Sequence, residues 1–485
     1  MNNLKQNAQT AVKWSAILTF GNQCVSFLIS VILARLLTPS DYGLVGTISI
    51  FIEISGIFVT GGLSMALIRK IDRTQTDLAT VFYYNTAVSI LIYLVLYTSA
   101  PFIASYFNEP LLTEITRISG LTLITGALGA VHGTLLHANM EFKKQTIFSI
   151  PIFIISGIIG IFLAYMGYGV WALVLQGFLS SVLTTVALWY FVSWKPSLEF
   201  SWKSFHSTFG FGCKLMISSL LDSCYRNAYQ FVIAKRFSAA DLGYYTRANT
   251  MARLPMSSLY SIISKVTYPL MSQIQDNDEQ LQHVFRRILR MMAYIILPCM
   301  LLLVLTASPL VSALLTEKWL PCVPFLQILS LSLALTPMNA LNLNLLQAKG
   351  RSDLFLRLEV WKKILGVLIL CATIPFGIFF MCCGLLLLSI LELGINSYYT
   401  KRLIQYGIKK QIKDILPIIG LSIASFFCAL PAFYITENPF FILAMSSCIY
   451  IAIFILLSLF FRFQEIYDFC LLYTSPSPRD RSLSR

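Results

Sequence analysis

The chain has 485 residues, of which 57% are hydrophobic and 12% charged, and 36 Lys and Arg against 22 Asp and Glu give a formal net charge of +14. An ordinary soluble domain carries about 25% charged residues, and no soluble fold of this length has the interior to hide so much apolar surface. Segments of about ten residues with strict apolar and polar alternation, the mark of a membrane β-barrel, do not occur in it, so composition points to an all-α membrane bundle.

A helix needs about 20 apolar residues to cross the hydrocarbon core at 1.5 Å per residue. The first such run, Trp14 to Leu37, is too long for a signal-peptide core and has no small-residue cleavage site, which predicts a retained first helix. Spans follow at 42–66, 80–105, 112–138, 146–166 and 169–193, and then comes a polar break from Ser193 to Ser207. Six more are expected at 208–234, 243–265, 284–306, 322–346, 354–376 and 377–399. A basic loop leads to a last pair at 415–435 and 439–461, for about fourteen transmembrane helices.

An internal repeat divides these helices. Residues 32–43, ILARLLTPSDYG, close the first span, and residues 232–243, VIAKRFSAADLG, close the seventh at an offset of 200, with the Ala, basic, Asp and Gly positions coinciding. A second echo pairs Leu135-Leu136-His137-Ala138 with Leu345-Leu346-Gln347-Ala348, each between the fourth and fifth spans of its half. Large transporters often carry homologous bundles of this kind around a central site. The expected organisation is two pseudo-symmetric six-helix lobes, 1–195 and 196–400, with a helix pair at 401–462. Residues 463–485 form a tail whose Ser, Pro and Arg from about Cys470 resemble translated adapter DNA, so part of it is read as non-native.

Lys and Arg concentrate on the cytoplasmic side of membrane proteins. Arg69, Lys70 and Arg73, Lys143 and Lys144, Arg286, Arg287 and Arg290, and the Lys401–Lys413 cluster all fall on one side of the predicted topology, which places both termini in the cytoplasm. Topogenic loops thus account for most of the net charge, and no nucleic-acid partner is expected. Nine of the eleven cysteines lie inside apolar runs without metal-ligand spacing and read as reduced packing residues. No Walker A, HExxH or GxSxG motif is present, so the familiar ATP-hydrolysing, zinc and serine chemistries lack their parts; no enzyme activity, metal or cofactor is expected.

Ionisable residues in mid-membrane cost about 2.5–3.5 kcal/mol on insertion scales and face a cavity or a partner. On the seventh span Lys214, Asp222 and Arg226 share an arc of about 120° with Ser218. That stripe suits a cavity wall, and it equally allows a local Asp222–Arg226 pair at i,i+4. On the eighth span Arg247 and Arg253 flank Asn249, and the offset of 200 aligns Arg253 with Glu53, so a Glu53–Arg253 pair between lobes is a further expectation. His132 and His137 read as hydrogen-bonded packing residues, and Gly61-Gly62, Pro255, Pro269 and Pro337 as candidate bends.

Four collinear stretches carry a family resemblance: ILARLLTPSDYGLVG, YGVWALVLQGF from Tyr168, LGYYTRA from Leu242, and LLQAKGRSDLFLRLEVWKK from Leu345. They resemble the polysaccharide transporter family, in its Wzx-type branch close to colanic-acid exporters, within the multidrug/oligosaccharidyl-lipid/polysaccharide flippase superfamily. The resemblance implies a flippase that moves undecaprenyl-pyrophosphate-linked repeat units across the inner membrane by alternating access. It implies no cofactor but allows coupling to H+ or Na+, with a polysaccharide polymerase and glycosyltransferases as neighbours. A pyrophosphate needs cationic donors, so Lys214, Arg226, Arg247, Arg253 and, more weakly, Arg117 become the candidate headgroup contacts, with Glu53 and Asp222 as cavity acids. A drug or cation antiporter of the same superfamily is the alternative and would place an acidic site in the first lobe, where Glu53 is the obvious mid-membrane acid. A membrane polymerase would need a large outer loop, and the longest outer break is the stretch around Pro309 to Pro321.

Overall fold

A computed structural model describes residues 2–70 and 72–466. Its elements are helices throughout: α1 (Asn2–Leu36), α2 (Pro39–Thr60), α3 (Leu63–Arg69), α4 (Gln75–Phe107), α5 (Leu112–Ala138), α6 (Phe142–Tyr165), α7 (Val170–Phe191) and α8 (Trp202–Arg236). They continue as α9 (Ala239–Gln273), α10 (Asp278–Leu315), α11 (Val323–Ala348), α12 (Ser352–Thr373), α13 (Ile378–Ile404), α14 (Ile408–Ala429), α15 (Ala432–Ile435) and α16 (Pro439–Phe460). Among the described residues fourteen of these have 22 residues or more, and eleven are long and apolar enough to cross a membrane. The three long helices that fall short are α8, α9 and α12. They carry Lys214, Asp222, Arg226, Arg247 and Arg253, singled out above, and also Glu359 and Lys362. The expected tail from residue 467 onward lies outside the described residues.

The expected span 42–66 is not one helix. Gly61 and Gly62 both adopt left-handed φ, 52° and 67°, and end α2 before α3 begins. A Cβ on Gly62 would lie 2.3 Å from the carbonyl oxygen of Gly212 on α8, so the break also lets two backbones approach. Pro337, by contrast, sits inside an uninterrupted α11, and α9 runs through Pro255 and Pro269.

The chain forms two compact units, residues 1–246 and 247–485. In the first, α4 packs on α5, α5 on α7, α6 on α7 and α1 on α6, and α8 lies against α2, α3 and α4. In the second, α10 packs on α11, α11 on α13 and α12 on α13, with α14 and α16 against α10. The pairings α4·α5, α5·α7 and α6·α7 thus recur as α10·α11, α11·α13 and α12·α13. Hydroxyl contacts recur with them. Thr125 Oγ1 lies 2.5 Å from Ser181 Oγ between α5 and α7, and Ser332 Oγ lies 2.8 Å from Ser389 Oγ between α11 and α13. Between apolar helices such polar contacts supply the specificity that a hydrophobic effect cannot provide in lipid.

The repeated sequence motifs now have physical causes. Thr38 caps α2 in a reciprocal box with Asp41, and Ser238 caps the start of α9 in the same way with Asp241, each hydroxyl donating to the Asp Oδ2 at 2.7 Å. The second echo closes two helices identically. The amide nitrogens of Asn139, Met140 and Glu141 donate to the carbonyls of Leu135, His137 and Leu136, and those of Lys349, Gly350 and Arg351 to Leu345, Gln347 and Leu346. Met140 and Gly350 hold the left-handed position of each turn, at φ 57° and 69°.

The polar break at 193–207 is docked rather than loose. Gln75 Nε2 donates to the Lys195 carbonyl at 2.7 Å, Trp194 Nε1 donates to Gln75 Oε1 at 2.6 Å, and Thr76 Oγ1 donates to Glu199 at 2.7 Å. Beneath them Asp77, 2% exposed, receives Lys70 at 2.6 Å, the Thr74 amide at 2.9 Å and the Ser204 hydroxyl. Asp77→Ala removes a helix cap and several charge-assisted hydrogen bonds at once, and a loss of about 2–3 kcal/mol is expected. Asp77→Asn, which keeps a capping oxygen, should lose less. Unfolding midpoints of the purified variants check this, and a loss no larger than that of an exposed loop substitution would remove the docking role.

Candidate ion cluster between α2 and α8

α2 and α8 meet along positions spaced by three to four residues on each helix. Gly46, Ser49 and Glu53 on α2 face Ser223, Arg226, Asn227 and Gln230 on α8. Gln230 Nε2 donates to the Gly46 carbonyl at 2.7 Å and to Ser49 Oγ at 3.3 Å. One to two turns away Glu53 Oε1 accepts from Ser223 Oγ at 2.9 Å and from Arg226 Nη2 at 3.0 Å, while its Oε2 accepts from Asn227 Nδ2 at 3.1 Å. Arg226 Nε in turn lies 3.3 Å from Asp222 Oδ2. The result is one guanidinium shared by two carboxylates, a cluster of formal charge −1.

Burial divides this cluster into a fixed base and an open head. Ser223 is fully buried and Asn227 is 9% exposed, whereas the side chains of Glu53, Asp222 and Arg226 are 44%, 52% and 55% exposed. The neutral donors therefore hold Glu53 in place from below, and the charged groups stay open to whatever fills the space in front of them. The local Asp222–Arg226 pair that the i,i+4 spacing allows is formed, and it is part of the larger cluster. Within its own unit the Glu53 carboxylate is taken up by Arg226, Ser223 and Asn227. Arg253 turns its Nε to Asn249 Oδ1, 2.9 Å away and one turn earlier.

The other candidates take different places. Lys214 is exposed on the same face of α8 as Asp222 and Arg226. Arg117 on α5 is half-buried with its guanidinium over the ring of Tyr97, 4.4 Å from the centroid, a cation–π contact that occupies one face of the fork. Arg247, 5% exposed, and Arg253, exposed, belong to the second unit. His132 is fully buried between Trp189 and Trp194, with ring centroids at 4.9 and 5.0 Å, so ring packing holds it. Ser223, Asn227 and Gln230 carry no charge to mark them as functional in the sequence, although their i, i+4, i+7 spacing is itself a polar stripe.

An apolar recess of about 420 Å³ lies where α4 joins α2 and α8, lined by Ser55 and Phe58 of α2, Tyr84, Leu91 and Val95 of α4, and Met216 of α8. It begins two residues beyond Glu53 and two beyond Lys214, so charged and apolar surfaces follow each other along α2 and α8.

The chain and its fold are similar to known proteins. Residues 32–324 match the family described as polysaccharide biosynthesis protein. Curated relatives include the lipopolysaccharide biosynthesis protein WzxC of Escherichia coli, 24% identical over 75% of this chain and 74% of that protein, and the succinoglycan biosynthesis transport protein ExoT of Rhizobium meliloti, 25% identical over 67% of each. Among solved structures the fold is similar to that of the lipid II flippase MurJ, with a TM-score of 0.78, 15% identity and coverage of 93% of this chain and 99% of that one. It is also similar to a multidrug resistance transporter of the MATE family in the MOP superfamily, with a TM-score of 0.62, 16% identity and coverage of 79% and 96%. With an all-helical membrane fold and a family match over more than half its length, the chain belongs to the polysaccharide biosynthesis protein family.

Proposed function

We propose that the protein is a flippase that moves undecaprenyl-pyrophosphate-linked oligosaccharide repeat units across the bacterial inner membrane by alternating access of its two repeats, for the assembly of a surface polysaccharide. The observation that carries this reading is the exposed Glu53–Arg226–Asp222 cluster, an ionic site kept open inside an apolar bundle at the cost of charge insertion. Family membership and relatives named for polysaccharide biosynthesis and transport support the substrate class.

The chemistry of the cluster suits an exchange. A diphosphate oxygen can compete with a carboxylate for the Arg226 fork, since both accept paired N–H donors in the same geometry. Arg226 held by Glu53 and Asp222 is the resting arrangement, and Arg226 turned to the diphosphate is the loaded one; Lys214, more than three turns away on the same face of α8, is a separate cation along the path. A proton or Na+ taken up at the released carboxylates would balance their charge, which is where coupling to an ion gradient would enter. Both termini are placed in the cytoplasm by loop charge, and a polymerase and glycosyltransferases are the expected neighbours.

A drug or cation antiporter is the second reading, favoured by the likeness to the MATE fold and by the acid Glu53 in the first repeat. The two separate in a strain deleted for the gene. The flippase reading expects complete undecaprenyl-linked units to accumulate, on the inner leaflet, as surface polymer is lost; both are measured by mass spectrometry of lipid extracts with a leaflet-accessibility assay. Unchanged pools of both would overturn it and leave the antiporter.

A further inference from the structure

The strongest concentration of positive charge in the second unit lies away from these candidates. The first four turns of α10 carry Arg286, Arg287 and Arg290, and the first two turns of α14 carry Lys410 and Lys413. More than 110 residues apart in the chain, they line two adjoining cavities of about 520 and 390 Å³ that share His283 and Arg286. Glu279, Asp414 and Glu465 line them too. Five cations against three carboxylates leave a net charge of +2 with His283 neutral.

Two of those carboxylates shape the cavities rather than neutralise their open face. Asp414, its side chain 11% exposed, accepts from Arg286 at 2.6 Å and from the Tyr406 hydroxyl at 2.5 Å. Glu465, 6% exposed, accepts from Arg290 at 2.5 Å. These pairs fasten α10 to α14 and to the segment that follows α16, while Arg287, Lys410 and Lys413 are exposed at the rim.

The level of the cavities along the helices identifies what would fill them. Beyond Arg290 no charged residue occurs on α10 through Leu315, and beyond Asp414 none occurs on α14 through Ala429. Both helices change from charged to apolar at the height of the cavities, the boundary where phospholipid headgroups sit. On the adjoining face of α14, Ile412, Leu416, Ile423 and Phe427 are exposed at 41–63% and fall on one stripe of about 60° that runs from the level of the cavities into the apolar part of the helix. Lys409 stands at the head of that stripe. A basic recess above an apolar track is the pattern that takes an anionic headgroup and an acyl chain together.

We propose that this basic recess between α10 and α14 binds the phosphate headgroup of an anionic glycerophospholipid, with an acyl chain lying along the Ile412–Phe427 stripe. The site belongs to the second unit and does not depend on which substrate the protein carries. Loop charge places it in the cytoplasmic leaflet.

The test uses full-length protein in a neutral detergent, titrated with dioleoyl-phosphatidylglycerol or dioleoyl-phosphatidylcholine while bound lipid is counted by native mass spectrometry. Phosphatidylglycerol should bind at least about five-fold more tightly than phosphatidylcholine. The triple variant Arg287→Gln, Lys410→Gln, Lys413→Gln should lose that preference and keep its lipid-free unfolding midpoint. If the triple variant folds poorly, the pair Lys410→Gln, Lys413→Gln, two exposed positions, should still weaken phosphatidylglycerol at least about two-fold. Equal affinity for the two lipids, or variants with undiminished preference, would overturn the proposal. So would inorganic pyrophosphate displacing phosphatidylglycerol at equal concentration, which would make the recess a site for free anions. Undecaprenyl pyrophosphate binding there more tightly than phosphatidylglycerol would reassign it to the isoprenoid lipid.

Discussion

Alanine at Gly43 or at Gly243 is expected to destabilise the protein by at least about 3 kcal/mol, the upper end of the usual cost of overpacking. A Cβ built on Gly43 would lie 1.7 Å from the carbonyl oxygen of Ala239, and one on Gly243 would lie 1.9 Å from the carbonyl oxygen of Pro39. Under the offset of 200 these two contacts exchange into each other: Gly43 corresponds to Gly243, and Pro39 to Ala239. The starts of α2 and α9 therefore cross back to back, each glycine seated on the first residue of the other helix. Neither obstacle is a flexible side chain, so relief requires moving capped helix starts, and the capping boxes at Thr38–Asp41 and Ser238–Asp241 resist that motion. Gly56, further along α2 with open space around its Cβ position, is the control. Alanine there should be neutral or stabilising by up to about 1 kcal/mol, the ordinary helix-propensity gain. Unfolding midpoints and membrane levels of the three single variants decide it. The double variant should cost less than the sum of the two singles, because both substitutions open one crossing. A Gly43→Ala protein as stable as Gly56→Ala would remove the crossing from the account.

This crossing shows what was legible in the sequence and what was not. The repeat itself could be read because Asp and Gly stand at fixed places in both copies, and each is fixed by a local demand: a carboxylate to close a capping box, and a missing Cβ to let two backbones touch. Helix positions were legible for the same kind of reason, since a run of 20 apolar residues has few alternatives to a membrane helix. The interruption of the second span at Gly61-Gly62 was visible only as a possible bend, because two left-handed residues are a matter of backbone angle that hydropathy does not register. Pairing was least legible. Glu53 could be read as a mid-membrane acid, but a carboxylate on α2 binds what α8 presents opposite it, and it is the rotation of α8, which hydropathy does not register, that presents Ser223, Arg226 and Asn227. The basic recess was half legible: the positive-inside rule put Arg286 and Lys413 on one side of the membrane, but only packing of α10 on α14 makes them neighbours.

The second large effect is expected at Arg226. Because its side chain and both its carboxylate partners are about half exposed, the ion pairs are worth little to folding, of the order of 0–1 kcal/mol, and Arg226→Ala should leave the unfolding midpoint nearly unchanged. Its effect on transport should be at least about tenfold, since loss of a charge-assisted bidentate contact of 1.5–3 kcal/mol corresponds to one or two orders of magnitude in affinity. Surface polymer and accumulated lipid-linked units, measured in a deletion strain carrying each variant at matched protein levels, report that effect. Arg226→Lys keeps the charge but loses the fork and should fall between wild type and Arg226→Ala. Glu53→Gln separates two roles of the acid. It retains an oxygen for Ser223 but removes the charge that draws Arg226 away from a diphosphate, so it should keep the fold, bind substrate at least as tightly as wild type, and turn over more slowly. Glu53→Ala also strips Ser223 and Asn227 of their acceptor and should lose stability as well, by about 1–3 kcal/mol for the donors left buried. Transport lost in strict proportion to stability across all four variants would reduce the cluster to a structural pair. Transport lost with the fold intact would make Arg226 the group that passes between carboxylate and diphosphate.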